Sequence, residues 1–280
     1  MKVRAGDVDL YFDVEGVSLE ADGASLKQRP TIVLLHGGPG ADHNYFKPIF
    51  SRMTDVAQVV YLDQRGHGRS DRSDRMTLDT WADDVRHFCE ALHIEKPVVL
   101  GNSFGAEVAM AYATRHPDHP GKLVLDGGGA RVDFDAMGAV FERLGGPRAR
   151  EVAEKFWSSP FDPNSDYFSV CLPLYSQRQD EKAFVDAMTR TTWNTDLIGL
   201  YLDELAHQID FRPDLHTIAC PTLILAGADD PVAPLESARE IADRIDPALV
   251  HLEVFEGCGH GVFREDPDRA FAVLREFVCD

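Results

Sequence analysis

The feature that most restricts this chain is a series of short, nearly continuous apolar runs: Thr31–Leu35, Gln58–Leu62, Pro97–Leu100, Leu123–Leu125, Thr222–Ala226 and Leu249–Phe255. A strand with one wet face alternates apolar and polar side chains, whereas an uninterrupted run suits a strand buried on both faces of a parallel sheet. Residues 7–14 (DVDLYFDV) do alternate and read as a half-exposed strand, while 20–30 (EADGASLKQRP) reads as a loop. Helical patterns lie between the runs. Leu78, Trp81, Val85, Phe88 and Leu92 form an apolar stripe over 77–92, with Thr77 placed to cap it. Phe104–Arg115 is Ala-rich and ends before Pro117; Ser237–Ile245 and Pro267–Val278 close the chain. Strands alternating with helices predict an α/β architecture, a mostly parallel central sheet flanked by helices.

The stretch 130–212 breaks this rhythm. It offers helices near Phe134–Leu144, Pro147–Trp157, Glu181–Thr189 and Thr195–Gln208, but no buried strand. Trp157 and Trp193 fall there with Phe156, Phe161, Tyr167, Phe168, Tyr175 and Tyr201. The expected organisation is a core of residues 1–129 and 213–280, with 130–212 inserted as a helical lid between the sixth and seventh core strands. Such a lid can cover the C-terminal edge of the sheet, where wound sheets bind ligands.

Composition narrows the partners. A chain of 280 residues that is 44% hydrophobic can bury one large core. Its 28 basic and 47 acidic side chains, a net charge of -19, repel phosphate backbones and anionic lipid. Nucleic acid and membrane partners are therefore not expected. No apolar run approaches the roughly 20 residues of a membrane span. The 5 cysteines are odd in number and lack a CxxC pair, which fits a reducing compartment, so the expected location is cytoplasmic. A homo-oligomer is compatible with the composition, which does not specify an assembly.

The run Pro97-Val-Val-Leu-Gly-Asn-Ser-Phe-Gly105 leads from a buried strand into a helix. A G-x-S-x-G pattern in that setting makes a sharp, strained turn. Gly101 and Gly105 occupy positions where a Cβ would clash with the crossing strand and helix. Ser103 is thereby lifted off the sheet at a helix N-terminus, where developing negative charge is favoured, and is the candidate nucleophile. Leu34-Leu-His-Gly-Gly-Pro-Gly40 follows another buried strand. Its glycines let backbone N–H groups approach a ligand oxygen, so the N–H of Gly38 with that of Phe104 forms the candidate oxyanion hole.

Among the 11 histidines, only His260 sits in a Gly-rich loop after a late strand, Glu256-Gly-Cys-Gly-His-Gly261, and it is the candidate general base. His36 is expected to pack and hydrogen-bond beneath its own loop. The acid should follow the preceding strand, giving the chain order Ser, Asp, His. Leu223-Ile-Leu-Ala-Gly-Ala-Asp-Asp-Pro231 offers Asp229 and Asp230; Asp230 is preferred and Asp229 is read as capping the turn. Asp126, at the end of the Leu123–Leu125 run, is the rival.

With these residues in place, the chain resembles the α/β-hydrolase superfamily over nearly its whole length, and within it the proline iminopeptidases and their hydrolase relatives. His36-Gly-Gly-Pro-Gly40 and Asp63-Gln-Arg-Gly-His-Gly-Arg-Ser70 carry the likeness. The resemblance implies an aminopeptidase or amidase acting on a small-molecule substrate with a free amine. Peptidase members usually carry tryptophan after the serine; here the residue is Phe104. The lid residues that would touch substrate are Glu204, chosen by location, and Trp193. The expected reaction is acyl transfer without metal or organic cofactor. A carboxylesterase or lactonase uses the same residues, and a non-catalytic small-molecule receptor on the same scaffold is the reading from a different class. An epoxide hydrolase would need a carboxylate where Ser103 stands.

Overall fold

A computed structural model describes residues 1–178 and 181–280. The chain opens with β1 (Lys2–Ala5) and β2 (Val8–Glu15), then a small hairpin of β3 (Leu19–Asp22) and β4 (Ser25–Gln28). The wound part begins with β5 (Thr31–Leu35), β6 (Gln58–Leu62), α1 (Leu78–Ala91), β7 (Val98–Asn102), α2 (Phe104–Arg115) and β8 (Lys122–Asp126). After a helical excursion through α3 (Phe134–Trp157), α4 (Tyr167–Val170), α5 (Glu181–Arg190) and α6 (Thr195–Asp203), the core resumes. It closes with β9 (Thr222–Gly227), α7 (Leu235–Ala242), β10 (Val250–Phe255), α8 (Val262–Glu265) and α9 (Pro267–Cys279).

The main sheet runs β1-β2-β6-β5-β7-β8-β9-β10. β1, β2 and β6 pair antiparallel; from β6 to β10 every pairing is parallel. The continuous apolar runs are explained by two cores. Val33, Leu35, Val60, Leu62 and Val99 face one way, toward Trp81 and Phe88 of α1 and the body of α2. Ile32, Leu34, Val59, Tyr61 and Leu100 face the other way, toward Phe50 and Phe271. Alternate residues of one strand thus serve opposite layers.

The segment read as a loop over 20–30 instead contains the β3–β4 hairpin. Every β4 residue is exposed, so no apolar alternation announces the strand, and Gly23 at φ 60° supplies the turn. α1 starts as expected, with the Thr77 hydroxyl accepting from the Thr80 N–H at 3.2 Å. α2 is buried from Phe104 to Ala113, which accounts for its small side chains. The two helices expected on either side of Gly145 are both present: α3 is broken at Gly146, where φ is 76° just before Pro147. The helix expected over Thr195–Gln208 stops at Asp203, and a 3₁₀ turn follows at Leu205–His207. The ends of the excursion meet: Arg131 bridges Asp210, and the Phe211 N–H donates to the Ala130 carbonyl at 2.8 Å. Among the described residues, no helix is long and apolar enough to cross a membrane.

The Asp63–Ser70 motif forms the turn after β6, and its guanidinium is buried. Arg65 donates to Asp84 of α1 through Nε at 2.7 Å and Nη2 at 2.6 Å, and to Asp7 in the β1–β2 turn at 2.7 Å. One cation thereby joins three elements beneath the sheet edge. Removing it strands the Asp84 carboxyl away from water. Arg65→Ala should cost on the order of 3–5 kcal/mol, read as a lower urea midpoint at unchanged m-value.

Candidate active site

The turn from β7 into α2 holds Ser103 at φ 55° and ψ −122°, outside the conformations L-residues favour. Close crossings force it. A Cβ on Gly101 would fall on the Gly105 carbonyl, and a Cβ on Gly105 would fall on the Leu35 carbonyl. The Ser103 N–H donates to the Asp126 carbonyl at 2.8 Å, and its own carbonyl accepts from the Ala106 N–H at 2.7 Å.

The loop between β10 and α8 brings His260 over this turn. Its Nδ1 lies 2.7 Å from Asp230 Oδ2 and its Nε2 lies 2.9 Å from Ser103 Oγ. Nδ1–H donating to the carboxylate leaves Nε2 to accept from the hydroxyl. The other Asp230 oxygen accepts from the N–H groups of Val232 at 2.8 Å and Ala233 at 2.9 Å, so the carboxylate is fixed at both ends. Burial disfavours the charged imidazole, but the Asp230 carboxylate beside it, with Asp126 and Glu265 further off, reverses the balance, and the His260 pKa is raised.

Asp229 faces the other way and pairs with Arg143 of α3 at 2.6 Å. Asp126 accepts from Asn102 Nδ2 at 2.9 Å, and burial pushes its pKa up to about 7. Of the three carboxyls considered from sequence, Asp230 is the one in hydrogen-bond contact with the imidazole.

The His36–Gly40 loop is held by the motif after β6. The His36 ring is buried, directs Nδ1–H to the Gly37 carbonyl at 2.9 Å and accepts from the Gln64 N–H at 3.3 Å. Gln64 Nε2 donates back to the His36 carbonyl at 2.9 Å. The two motifs that carry the family likeness thus brace each other. Gly38, at φ 127°, and Phe104 both border the cavity beside Ser103. Among the described residues, neither N–H donates to a protein acceptor.

Two cavities meet at Ser103 and His260. The larger, about 240 Å³, is walled by Phe156, Trp157, Tyr167, Phe168, Trp193 and Tyr201 of the excursion. These rings also pack on one another: Phe156 stacks on Tyr167 with centroids 3.9 Å apart. The smaller, about 80 Å³, runs past Phe104, Glu107 and Gly127. Trp193 is half-exposed at the mouth of the larger cavity. Glu204 is exposed at the end of α6 and borders neither cavity. Helical periodicity explains the difference: Ile198, Tyr201 and Leu202 take the inward face of α6, and the helix ends before Glu204 could join them.

Sequence reasoning misses Glu265. One oxygen accepts from the N–H groups of Gly259 at 3.0 Å and Gly261 at 3.3 Å, on either side of His260. The other accepts from Gln177 at 2.6 Å and Arg178 at 3.2 Å, in the excursion. The His260 N–H itself donates to the Tyr175 carbonyl at 2.6 Å. Nothing in the local pattern marks Glu265, because its partners are backbone N–H groups, two of them in the distant segment at Gln177 and Arg178. Glu107 is missed as well, although a lone acid in the apolar run Phe-Gly-Ala-Glu-Val-Ala-Met is a visible irregularity.

A family model for the alpha/beta hydrolase fold matches residues 30–267. The chain belongs to this family. A proline iminopeptidase of Pestalotiopsis fici is 28% identical over 279 residues, covering 96% of this chain and 98% of its own length. The crystal structure of a proline iminopeptidase from Mycobacterium smegmatis superposes with a TM-score of 0.79 at 22% identity, covering 99% of this chain and 97% of that one. An esterase from Exiguobacterium antarcticum superposes with a TM-score of 0.76 at 22% identity, covering 100% and 99%. The protein is an α/β hydrolase that resembles proline iminopeptidases in sequence and several hydrolases in fold.

Replacing Glu265 by Ala leaves four backbone N–H groups without their acceptor. The variant of this α/β hydrolase should lose on the order of 3 kcal/mol or more in chemical denaturation. Its crystal structure should show the His260 ring displaced from Ser103.

Proposed function

We propose that this hydrolase cleaves a small carboxylic ester or amide through a covalent acyl-enzyme. The observation that carries the proposal is the continuous chain from Asp230 through His260 to Ser103, with links of 2.7 and 2.9 Å. His260 takes the Ser103 proton as Oγ attacks the carbonyl carbon, and Asp230 holds the imidazole in the required tautomer. The carbonyl oxygen gathers charge against the N–H groups of Gly38 and Phe104; a single donor of this kind is worth about 3 kcal/mol in the transition state. His260 then protonates the leaving group. A water deprotonated by His260 attacks the acyl-enzyme, releases the acid and restores Ser103.

In this reading, residues 130–212 serve as a lid over a core of 1–129 and 213–280, and their aromatic side chains receive the apolar part of the substrate. The likeness to proline iminopeptidases supports an aminoacyl amide. Glu204, the lid carboxylate expected to touch substrate, is exposed and borders neither cavity, which favours esters, lactones and amides without a free amine.

A fluorophosphonate probe should label the wild type promptly and leave Ser103→Ala unlabelled, while the variant keeps its folded circular-dichroism spectrum. Labelling that persists in Ser103→Ala refutes the nucleophile. Among prolyl-arylamide, short p-nitrophenyl esters and lactones, the esters or lactones should turn over fastest; a clear preference for prolyl-arylamide restores the peptidase reading.

The base must enter the cycle neutral, so kcat/KM rises with pH through the His260 pKa. That pKa is raised, and the acidic limb of the profile should therefore lie above the ordinary imidazole value of 6.5. A limb at or below it would contradict the role given to Asp230.

A further inference from the structure

Glu107 stands beside the proposed chemistry without taking part in it. It lies on α2 one turn past Ser103 and is 7% exposed. Its Oε1 accepts from the Tyr201 hydroxyl at 2.6 Å. Its Oε2 is buried and has no hydrogen-bond partner among the described residues. Buried polar atoms are nearly always paired, so an orphaned carboxyl oxygen calls for a partner from outside the chain, a water or a ligand group. Joining α6 to α2 needs only Oε1 and leaves Oε2 unexplained.

A second observation points into the same space. Glu107 lines the 80 Å³ cavity with Gly38, Ser103, Phe104 and His260. Arg131 lines it too, but its Nε faces the Glu240 carboxylate at 3.6 Å. The cavity thus presents one unmet carboxyl oxygen. A hydroxyl group both donates and accepts. It also satisfies Oε2 whether Glu107 is ionised or protonated, which matters because burial pushes this carboxyl up to about 8. The acyl group is the part of the substrate tethered to Ser103, while the leaving group departs on the side of His260. Glu107, on the first turn of α2, borders the same cavity as Ser103 and can read the tethered part.

We propose that the small cavity is a polar subsite for a hydroxyl group on the second or third carbon of the acyl chain, bound by Glu107 Oε2. This deepens the acyl-transfer reading and rests on Ser103 being the acylated residue.

The test compares esters that differ only by hydroxyl for methyl: methyl lactate against methyl isobutyrate, and methyl 3-hydroxybutyrate against methyl isovalerate. The readout is the ratio of kcat/KM within each pair. In the wild type, at least one hydroxy ester should be preferred. In Glu107→Met that ratio should fall about tenfold or more through KM, the loss of one buried hydrogen bond. In Glu107→Gln, whose amide still offers a polar atom, the preference should survive. An equal loss on both members of each pair would make Glu107 a structural clamp for Tyr201 and overturn the subsite. So would a stronger preference for alanine methyl ester, which would make the site one for a cation.

Binding gives a second readout that needs no turnover. Methyl lactate and methyl isobutyrate are titrated into Ser103→Ala, following the fluorescence of Trp157, which borders both cavities. Tighter binding of the lactate, abolished by adding Glu107→Met, supports the subsite; equal affinities overturn it. The absence of fluorophosphonate labelling in the wild type would instead count against the parent reading.

Discussion

Three backbone segments cross at Gly101, Gly105 and Leu35 with no space for a side chain between them, and the rest of the site is arranged around that crossing. The approach of α2 to β5 and β7 leaves the connecting residue no relaxed conformation. A non-glycine at φ 55° costs roughly 1–3 kcal/mol. That cost is met by the burial of α2 and by the hydrogen bonds that Ser103 makes to Asp126 and Ala106. The strain is therefore a consequence of packing, and it aims one hydroxyl at the imidazole of His260.

The wound sheet is legible in the sequence because its strands are buried on both faces and its turns need glycine. The run Pro97–Leu100 and the helix Phe104–Arg115 leave only one kind of turn between them. The β3–β4 hairpin is illegible for the opposite reason: its residues touch solvent, and exposed side chains carry no packing pattern. The helices of the excursion follow from periodicity, but their ends do not. α6 stops before Glu204 because the chain must turn back to meet Ala130 and Arg131, a tertiary demand with no local signature.

The candidate site divides in the same way. Ser103, Asp230 and His260 are nominated by the turns that carry them, and each turn opens on one edge of the sheet. Asp230 is preferred from sequence over Asp126, and the structure separates them: Asp126 ends β8, Asp230 lies past the end of β9, and of the two only Asp230 is in hydrogen-bond contact with the imidazole. Asp126 spends its accepting oxygen on Asn102 within a fully packed layer, whereas Asp230 sits on a loop whose N–H groups hold it in place. Glu204 shows the limit of choosing by location alone: an acid in the right segment can point the wrong way. Glu265 and Glu107 act through groups that sequence spacing does not reveal, the first through backbone amides and the second through Tyr201.

Glu265 joins the two loops that most need to agree. Its carboxylate spans the amides flanking the imidazole and those at Gln177 and Arg178, while Tyr175 holds the histidine's own amide. The placement of His260 and that of the segment from Tyr175 to Arg178 are thus one mechanical variable. A change that shifts the strap from Tyr175 to Arg178 must therefore carry the imidazole with it, whereas side chains elsewhere on the cavity wall are free of that constraint.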